Sequence, residues 1–201
     1  MKMAKGWKLA GILLFASGMI LTGFSLLQMK DQNNQQQQAL KQIKAEINQQ
    51  TSSRSPLPTH NEWQTGDVIG ILKLPTLHKE LPIIEGTDEN DLAKGVGHYA
   101  ASALPNEKNQ ILLSGHRDTV FRKVGELKIG DRLLYQTKEA TYDYTIYRTY
   151  IVKSNNNHVI RDTSPEEILT LSTCYPFYFV GNAPDRYIIE AKPSPSQKSS
   201  Q

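Results

Sequence analysis

Hydrophobic and polar positions divide the chain into an apolar segment, a polar segment and a longer region of short alternating runs. Residues 9–27 are nineteen consecutive residues without a charge. A helix rises about 1.5 Å per residue, so this segment would be about 28 Å long, close to the thickness of the hydrocarbon core of a membrane. The pattern therefore predicts one transmembrane helix over residues 9–27.

Charges on either side of this helix predict its orientation. Three lysines precede it, whereas Lys30 and Asp31 offset each other after it. Positive residues remain on the cytoplasmic side, so we expect residues 1–8 in the cytoplasm and the rest of the chain outside the cell. A cleaved signal peptide is the alternative. Its apolar core usually has about 7–15 residues and ends at a small-residue cleavage site, which residues 25–28 do not resemble.

Two polar segments flank the region expected to fold. Gln and Asn dominate residues 28–58, in which Leu40, Ile43 and Ile47 have the spacing of one helical face. A short amphipathic helix and a flexible linker both fit this segment, and either would act as a spacer between membrane and domain. Residues 193–201, rich in Ser, Pro and Gln, are predicted to be a disordered tail.

Residues 59–192 form the predicted folded domain, in which short apolar or alternating runs are separated by turn residues. Such a succession of strands is typical of an all-β closed barrel or sandwich. Two short helices are expected, at residues 88–94 and after the Ser164-Pro165 pair, which has the order of an N-cap and first helical position. The strand candidates are Val68–Leu74, Leu81–Glu85, Ile111–Ser114, Arg132–Thr137, Tyr142–Val152, Ile168–Thr173 and Tyr187–Ala191.

The charge of the chain gives no support for one class of partner. The formal net charge is +3, and the three lysines before the apolar segment account for it. The remainder is near neutral, which does not favour nucleic-acid binding, because that function requires a clustered basic face.

Cys174 is the only cysteine, so it cannot form an intrachain disulfide. An unpaired thiol outside the cell is open to oxidation, and a nucleophilic role is the first hypothesis that explains it.

A thiol nucleophile needs a group that favours the thiolate, an acid for the leaving amine and donors for the oxyanion. His116 ends the apolar run Ile111–Gly115, Cys174 ends another run, and Arg186 begins the last one. If the strands before and after the 175–185 loop are neighbours, Cys174 and Arg186 face each other at its base. By contrast, three other histidines lie in predicted loops and are expected to be solvated: His60, His78 and His158.

Three motifs in this order resemble those of the sortases, the membrane-anchored cysteine transpeptidases of Gram-positive surfaces. They are Leu-Ser-Gly-His-Arg-Asp-Thr around His116, Thr-Leu-Ser-Thr-Cys at Cys174, and an arginine, Arg186, at the start of the next strand. The resemblance covers most of residues 66–192. It implies a closed sortase-type barrel of seven to eight strands, with His116, Cys174 and Arg186 as the catalytic residues.

The flanking residues are most similar to class D sortases. Tyr-Pro-Phe follows Cys174, and the segment Gly95–Tyr99 contains His98. The resemblance implies that His98, Thr173 and Tyr175 contribute to substrate binding, although His98 could equally be structural. Pilus-polymerising relatives usually carry an Asp-Pro-aromatic lid before the barrel, and residues 54–67 contain no such tripeptide.

The function implied is cleavage of a Leu-Pro-x-Thr-Gly or Leu-Pro-x-Thr-Ala sorting signal after Thr and transfer of the protein to a cell-wall precursor amine. Its partners would be secreted proteins with C-terminal sorting signals, peptidoglycan precursor and the membrane. No cofactor or metal is predicted: some sortases bind Ca²⁺, but no loop here has the spacing of calcium ligands. Two alternatives remain, a plain cysteine endopeptidase and a non-catalytic membrane-tethered β-barrel adaptor. The order His before Cys separates the chain from papain-like enzymes.

Overall fold

The computed structural model describes residues 3–50, 63–179 and 181–195, with the side chains of the first range described from residue 11 to 49. Within these ranges eight strands form one closed barrel. The elements are helix α1 (Met3–Gln50), β1 (Val68–Leu74), β2 (Lys79–Glu85), helix α2 (Glu89–Lys94), β3 (Val96–His98), β4 (Gln110–Gly115), β5 (Arg132–Gln136), β6 (Thr141–Lys153), β7 (Ile168–Tyr175) and β8 (Asp185–Pro193).

The strands follow the order β1-β2-β3-β4-β7-β8-β6-β5 around the barrel. Two neighbouring pairs are parallel, β2 with β3 and β4 with β7, and the other pairs are antiparallel. The predicted all-β barrel is therefore confirmed. Strand β3 was not predicted, because its three residues include a glycine and are too few to show an alternating pattern.

Alternate residues of the strands fill the barrel with apolar side chains. Leu72, Leu113, Tyr135, Leu171 and Ile189 are each at most 1% exposed and belong to one packed cluster. Because successive side chains of a strand point to opposite faces, the residues between these positions form the outer face. This parity decides which side of the sheet carries the candidate site.

Helix α1 includes both the predicted membrane segment and much of the predicted stalk. From Gly11 onward it is long and apolar enough to cross a membrane, by length and composition. Residues 36–50 belong to the same compact unit as the barrel, and there Ile43 is fully buried. Lys44 pairs with Glu80, and Lys138 pairs with Glu46 at 2.6 Å. The stalk spacing thus corresponds to a helix with one packed face, and residues 51–62 lie outside the described ranges.

Two predicted features differ in the structure. The helix expected after Ser164 is a turn in which Glu166 donates its backbone N–H to the Thr163 carbonyl, because β7 already begins at Ile168 and leaves too few residues for a helix. Strand β8 also continues past the predicted boundary at residue 192. Ser194 is buried and its backbone N–H donates to the Asp143 carbonyl at 2.8 Å. Residues 196–201 of the predicted tail lie outside the described ranges.

Candidate active site

Three neighbouring strands bring the predicted catalytic residues to one end of the barrel. In the parallel pair β4–β7, Gly115 lies beside Thr173, so the next residues in each strand direction are His116 and Cys174. In the antiparallel pair β7–β8, Cys174 lies directly opposite Arg186. Leu171 and Thr173 of β7 point into the barrel. Because successive side chains of a strand point to opposite faces, Cys174 lies on the outer face of the sheet. All three side chains are half-buried.

A buried hydrogen bond between β7 and β4 holds together the strand ends that carry Cys174 and His116. Thr173 is 4% exposed, and its hydroxyl donates to the Gly115 carbonyl at 2.7 Å. Gly115 itself packs so closely that a Cβ there would lie 2.7 Å from side-chain atoms of Val120 and Phe121. The predicted substrate-binding residue Thr173 therefore braces the two strands that carry the thiol and the imidazole.

The turn after His116 holds that residue in place. The His116 carbonyl accepts the backbone N–H of Phe121 at 3.0 Å, and the Phe121 ring is fully buried in the core. Because the ring is anchored, the backbone of the turn cannot move without opening the core. The backbone position of His116 is thus fixed by the packing of Phe121, five residues further along the chain.

Arg117 connects this turn to the loop that follows the thiol, and the sequence interpretation did not single it out. Its guanidinium donates to the carbonyls of Pro176 at 3.3 Å and Gly181 at 2.8 Å. It also lies 5.9 Å from the ring centroid of Phe179. One side chain therefore spans both sides of the β7–β8 loop, which joins Cys174 to Arg186. Its position beside His116 in the motif was the available signal.

The Arg186 guanidinium is held by its own strand end. It donates to the carbonyls of Asp185 at 3.0 Å and Ala183 at 3.3 Å, both through Nη1. The neighbouring Asp185 pairs with Lys153 of β6 at 2.8 Å. The planar fork of arginine carries further donors beyond those used here, so Arg186 can present N–H groups to a carbonyl or oxyanion near the thiol.

An aromatic cluster underlies the loop next to Cys174. The ring of Tyr175 stacks on Tyr187, with centroids 6.1 Å apart, and Phe177 meets both rings edge-on. A Cβ on Gly125 would lie 2.4 Å from the Phe177 ring, so only glycine leaves room for it. Tyr175, predicted as substrate-binding, is half-buried and supports the start of the loop.

His98 lies inside the barrel. It pairs with the core residue Leu113 in the β3–β4 register and is 0% exposed. One ring nitrogen lies 2.7 Å from the Glu85 carboxylate, and the other lies 3.0 Å from the Ala103 carbonyl. The ring is thus on the face of the sheet opposite Cys174. Of the two roles that the sequence left open for His98, this position favours the structural one.

Two of the histidines expected in solvated loops are exposed, His78 and His158; the third, His60, lies outside the described residues.

The buried carboxylate of Glu190 holds the segment between β6 and β7 against the outer face of the barrel through Arg161. Glu190 of β8 is fully buried. It accepts hydrogen bonds at 2.7 Å from the hydroxyls of Tyr147 and Tyr150 and pairs with Arg161 at the same distance. Burial alone would raise the pKa of Glu190, but these donors outweigh it and lower the pKa. Glu190 and Arg186 are four residues apart on β8, so their side chains lie on the same face of the sheet. The ion pair with Glu190 therefore holds Arg161 on the face that carries the candidate site.

The arrangement suits acyl transfer through a thiol. It places a thiol, an imidazole and a guanidinium at three adjoining strand ends, and these are side-chain types that can act as a nucleophile, a proton donor and an oxyanion partner. Among the described residues no group of three His, Cys, Asp or Glu side chains could hold a metal ion.

Comparison with known proteins gives one consistent family. Residues 72–194 match the sortase domain family. The chain is 40% identical to Sortase D of Bacillus subtilis over 193 residues, which covers 92% of this chain and 98% of that protein. It is 26% identical to a Sortase A of Bacillus anthracis over 84% of this chain and 86% of that relative.

Solved structures agree in fold. A Sortase D5 transpeptidase of Clostridium perfringens has a TM-score of 0.68 at 24% identity and covers 80% of this chain and 99% of its own. A sortase from Actinomyces oris has a TM-score of 0.62 at 27% identity over 70% of this chain and 88% of its own.

Proposed function

The chain belongs to the sortase family of cysteine transpeptidases, and we propose that it sorts secreted proteins to the cell wall. Its substrate would be a C-terminal Leu-Pro-x-Thr-Gly or Leu-Pro-x-Thr-Ala signal, cleaved after Thr. Its second substrate would be an amine of a peptidoglycan precursor. The resemblance of the residues around Cys174 to class D sortases is our reason for testing Ala in the last position.

Each residue of the triad has one role in this proposal. The Cys174 thiolate attacks the Thr carbonyl, and Arg186 donates N–H groups to the oxyanion that forms. As the C–N bond breaks, the His116 imidazolium gives its proton to the departing amine, leaving a thioester on Cys174. The acceptor amine then attacks the thioester, its proton passes to His116, and the Cys174 thiolate is released.

One observation carries the assignment: the strand register that sets Cys174 opposite Arg186 and Gly115 beside Thr173. Residues far apart in sequence meet at one end of the barrel only in this register. A shift of one residue in either pair would move a side chain to the opposite face. The hydrogen bond from the Thr173 hydroxyl to Gly115 stabilises the β4–β7 pair. The hydrogen bonds from Arg117 to Pro176 and Gly181 hold the loop between β7 and β8.

The apolar helix and the charges around it support a membrane-anchored enzyme. We place residues 1–8 in the cytoplasm, the apolar part of α1 in the membrane and the barrel outside the cell. Secreted proteins with sorting signals and peptidoglycan precursors would be present at that surface, so a tethered enzyme would meet both substrates there. Insertion of a glycosylation or cysteine tag after residue 63, with labelling of intact cells, tests this topology.

Family membership makes the chain an enzyme and sets the adaptor hypothesis aside. The endopeptidase hypothesis differs in the fate of the acyl group, since water rather than an amine would resolve the thioester. The test incubates the full chain in detergent micelles with a Leu-Pro-x-Thr-Ala peptide and a peptidoglycan-type amine, with Cys174→Ala as control. We expect mainly the amide product, made faster than the hydrolysis product. Hydrolysis alone at saturating amine would identify an endopeptidase.

A further inference from the structure

Exposed apolar side chains gather at the end of the barrel that carries the candidate active site. Among the described residues outside α1, the exposed large apolar side chains are Ile129, Ile151, Ile160, Tyr178 and Phe179. Tyr178 is 98% exposed and lies with Phe179 in the loop between β7 and β8. Ile151 lies near the end of β6, opposite Tyr187 at the start of β8. Ile160 lies apart from them, because the backbone N–H of the next residue donates to the Gln110 side chain at the start of β4.

The segment between β4 and β5, residues 116–131, closes this end of the barrel. Strand β5 runs opposite to β4, so the segment begins and ends at the same barrel end. Its buried apolar residues belong to the core cluster: Val120, Phe121, Val124 and Leu127. Ile129 is 68% exposed on the outward side. A Cβ on Gly125 would lie 2.4 Å from the Phe177 ring, so the segment contacts the β7–β8 loop. We call its outward side, with Ile151, Tyr178 and Phe179, the end surface.

Basic residues surround these apolar side chains. The exposed cations of residues 116–131 are Arg122, Lys123 and Lys128. Arg117 lies 5.9 Å from the Phe179 ring centroid. Burial, followed by the charges of Arg122 and Lys123, lowers the pKa of Lys79 at the start of β2, so Lys79 borders the same group of cations. The carboxylates of the segment are fewer than these cations: Asp118, Glu126 and Asp131. The end surface therefore has an excess of positive charge.

This combination matches the surface of a lipid bilayer. Aromatic side chains are enriched at the level of the lipid headgroups, and basic residues are attracted to anionic lipids. Tyr178 is 98% exposed, so no described residue forms a pocket wall around it. A peptide side chain would need such a wall to be recognised, whereas a bilayer accepts a protruding ring without one. The apolar part of α1 supplies a bilayer to the same chain.

We propose that the end surface binds the anionic surface of this bilayer. The rings of Tyr178 and Phe179 enter the headgroup region, and the cations of residues 116–131 pair with lipid phosphates. The inference rests on the proposed membrane anchoring and goes beyond the sorting reaction, since cleavage and transfer require no lipid contact by the barrel. Its consequence is that the candidate active site, at the same barrel end, is held close to the membrane.

The test places a fluorophore on the end surface of the full chain in nanodiscs. Cys174→Ala removes the native thiol, so Tyr178→Cys in that background carries one NBD label. Lys108→Cys, exposed in the turn before β4 at the opposite end, carries the label in the control chain. The nanodiscs contain phosphatidylcholine alone or phosphatidylcholine and phosphatidylglycerol in equal parts. Emission wavelength and quenching by a lipid with a nitroxide near its headgroup are measured, and melting temperatures verify folding.

The label at position 178 should shift to shorter wavelength and be quenched in the anionic nanodiscs, and less in phosphatidylcholine alone. The label at position 108 should show neither effect. Combining Arg122→Gln with Lys123→Gln should lower the ratio of lipid-bound to free label about tenfold or more, because each basic residue near an anionic surface contributes about fivefold. Lys108→Gln, the matched charge control, should leave the ratio unchanged. Raising the ionic strength from about 0.1 M to about 1 M should reverse the shift.

Three results would overturn the proposal. The first is equal emission and quenching at positions 178 and 108 in folded chains. The second is quenching at position 178 that is as strong in phosphatidylcholine alone and unchanged by the Arg122→Gln and Lys123→Gln pair. The third is a shift that occurs only on addition of a Leu-Pro-x-Thr-Ala peptide, which would assign the surface to the peptide. Peptide cleavage by the wild-type chain in the same nanodiscs tests the sorting reaction separately.

Discussion

Thr173 donates its hydroxyl hydrogen to the Gly115 carbonyl over 2.7 Å, inside the barrel and directly beneath the candidate site. Each of these residues is followed at once by a residue of the proposed triad, Cys174 after Thr173 and His116 after Gly115. This hydrogen bond from a side chain to the backbone joins Gly115 and Thr173, the last paired residues of the parallel strands β4 and β7. The spacing of thiol and imidazole therefore depends on it.

Removal of this hydroxyl should loosen the site as well as the fold. Thr173→Val keeps the shape but leaves the buried Gly115 carbonyl without this donor, which should lower the free energy of unfolding by about 1–3 kcal/mol. Peptide cleavage by the folded variant should also fall, because the two strand ends are no longer tied. Thr173→Ser, which keeps the hydroxyl, is the matched control. Normal cleavage by Thr173→Val would show that the bond serves stability alone.

Arg117 should affect catalysis through the β7–β8 loop. Arg117→Ala removes the donors to Pro176 and Gly181, and we expect kcat/KM to fall about tenfold or more, since small displacements of reacting groups are costly. Lysine reaches fewer acceptors than the arginine fork, so Arg117→Lys should recover only part of the loss. The pH profile should keep its shape, because no titrating group of the triad is removed. A changed profile would mean that Arg117 acts on His116 directly.

Arg186→Lys tests whether the guanidinium geometry matters. The substitution keeps the positive charge but loses the planar set of donors. We expect kcat to fall about a hundredfold, as for loss of an oxyanion donor, with little change in melting temperature. Arg148→Lys, an exposed arginine on β6, is the control. Near-normal kcat in Arg186→Lys would show that charge alone suffices.

The Glu190 network predicts a pH-dependent contribution to stability. The pKa of Glu190 is lowered in the folded state, below the ordinary value of about 4.3. Its contribution is therefore fully present above that value and is lost as the pH falls through the lowered pKa. Glu190→Gln should lower the free energy of unfolding by about 1–3 kcal/mol at neutral pH.

Urea denaturation at several pH values measures this contribution. The difference between wild type and Glu190→Gln should shrink below about pH 4. A difference that is constant from neutral to acidic pH would contradict the assignment of a charged Glu190. Glu89→Gln serves as the control, because this carboxylate is exposed on α2.

The succession of strands predicted a barrel or a sandwich, and the resemblance to the sortases implied the closed barrel that the structure confirms. Strand periodicity predicted the longer strands, and the strand-end positions of Cys174 and Arg186 predicted that these two residues lie opposite each other. The grouping of His116 with them came from the family motifs. Their proximity depends on the register of neighbouring strands, which short alternating patterns alone do not determine. The family motifs supplied that information indirectly.

The roles of the supporting residues were not predictable in the same way. Thr173 and His98 follow motifs that suggested substrate contact, but strand parity turns both toward the interior. Glu190 lies in an apolar run, Ile188-Ile189-Glu190-Ala191. A charge buried in such a run predicts an oppositely charged or hydrogen-bonding partner, but the run does not identify that residue. Its partner Arg161 lies in a connection whose path depends on packing over the sheet. The contacts of Arg117 with the Pro176 and Gly181 carbonyls depend on the path of the β7–β8 loop, which the sequence does not determine.

The most direct test of the central claim is detection of the covalent intermediate. The full chain in detergent micelles is mixed with a Leu-Pro-x-Thr-Ala peptide without an acceptor amine, quenched in acid and measured by intact-mass spectrometry, with Cys174→Ala in parallel. We expect an adduct with the mass of the peptide through its Thr, which digestion maps to Cys174 and which is discharged when an amine is added. A folded wild-type chain that cleaves the peptide with no adduct, or with equal cleavage by Cys174→Ala, would contradict it.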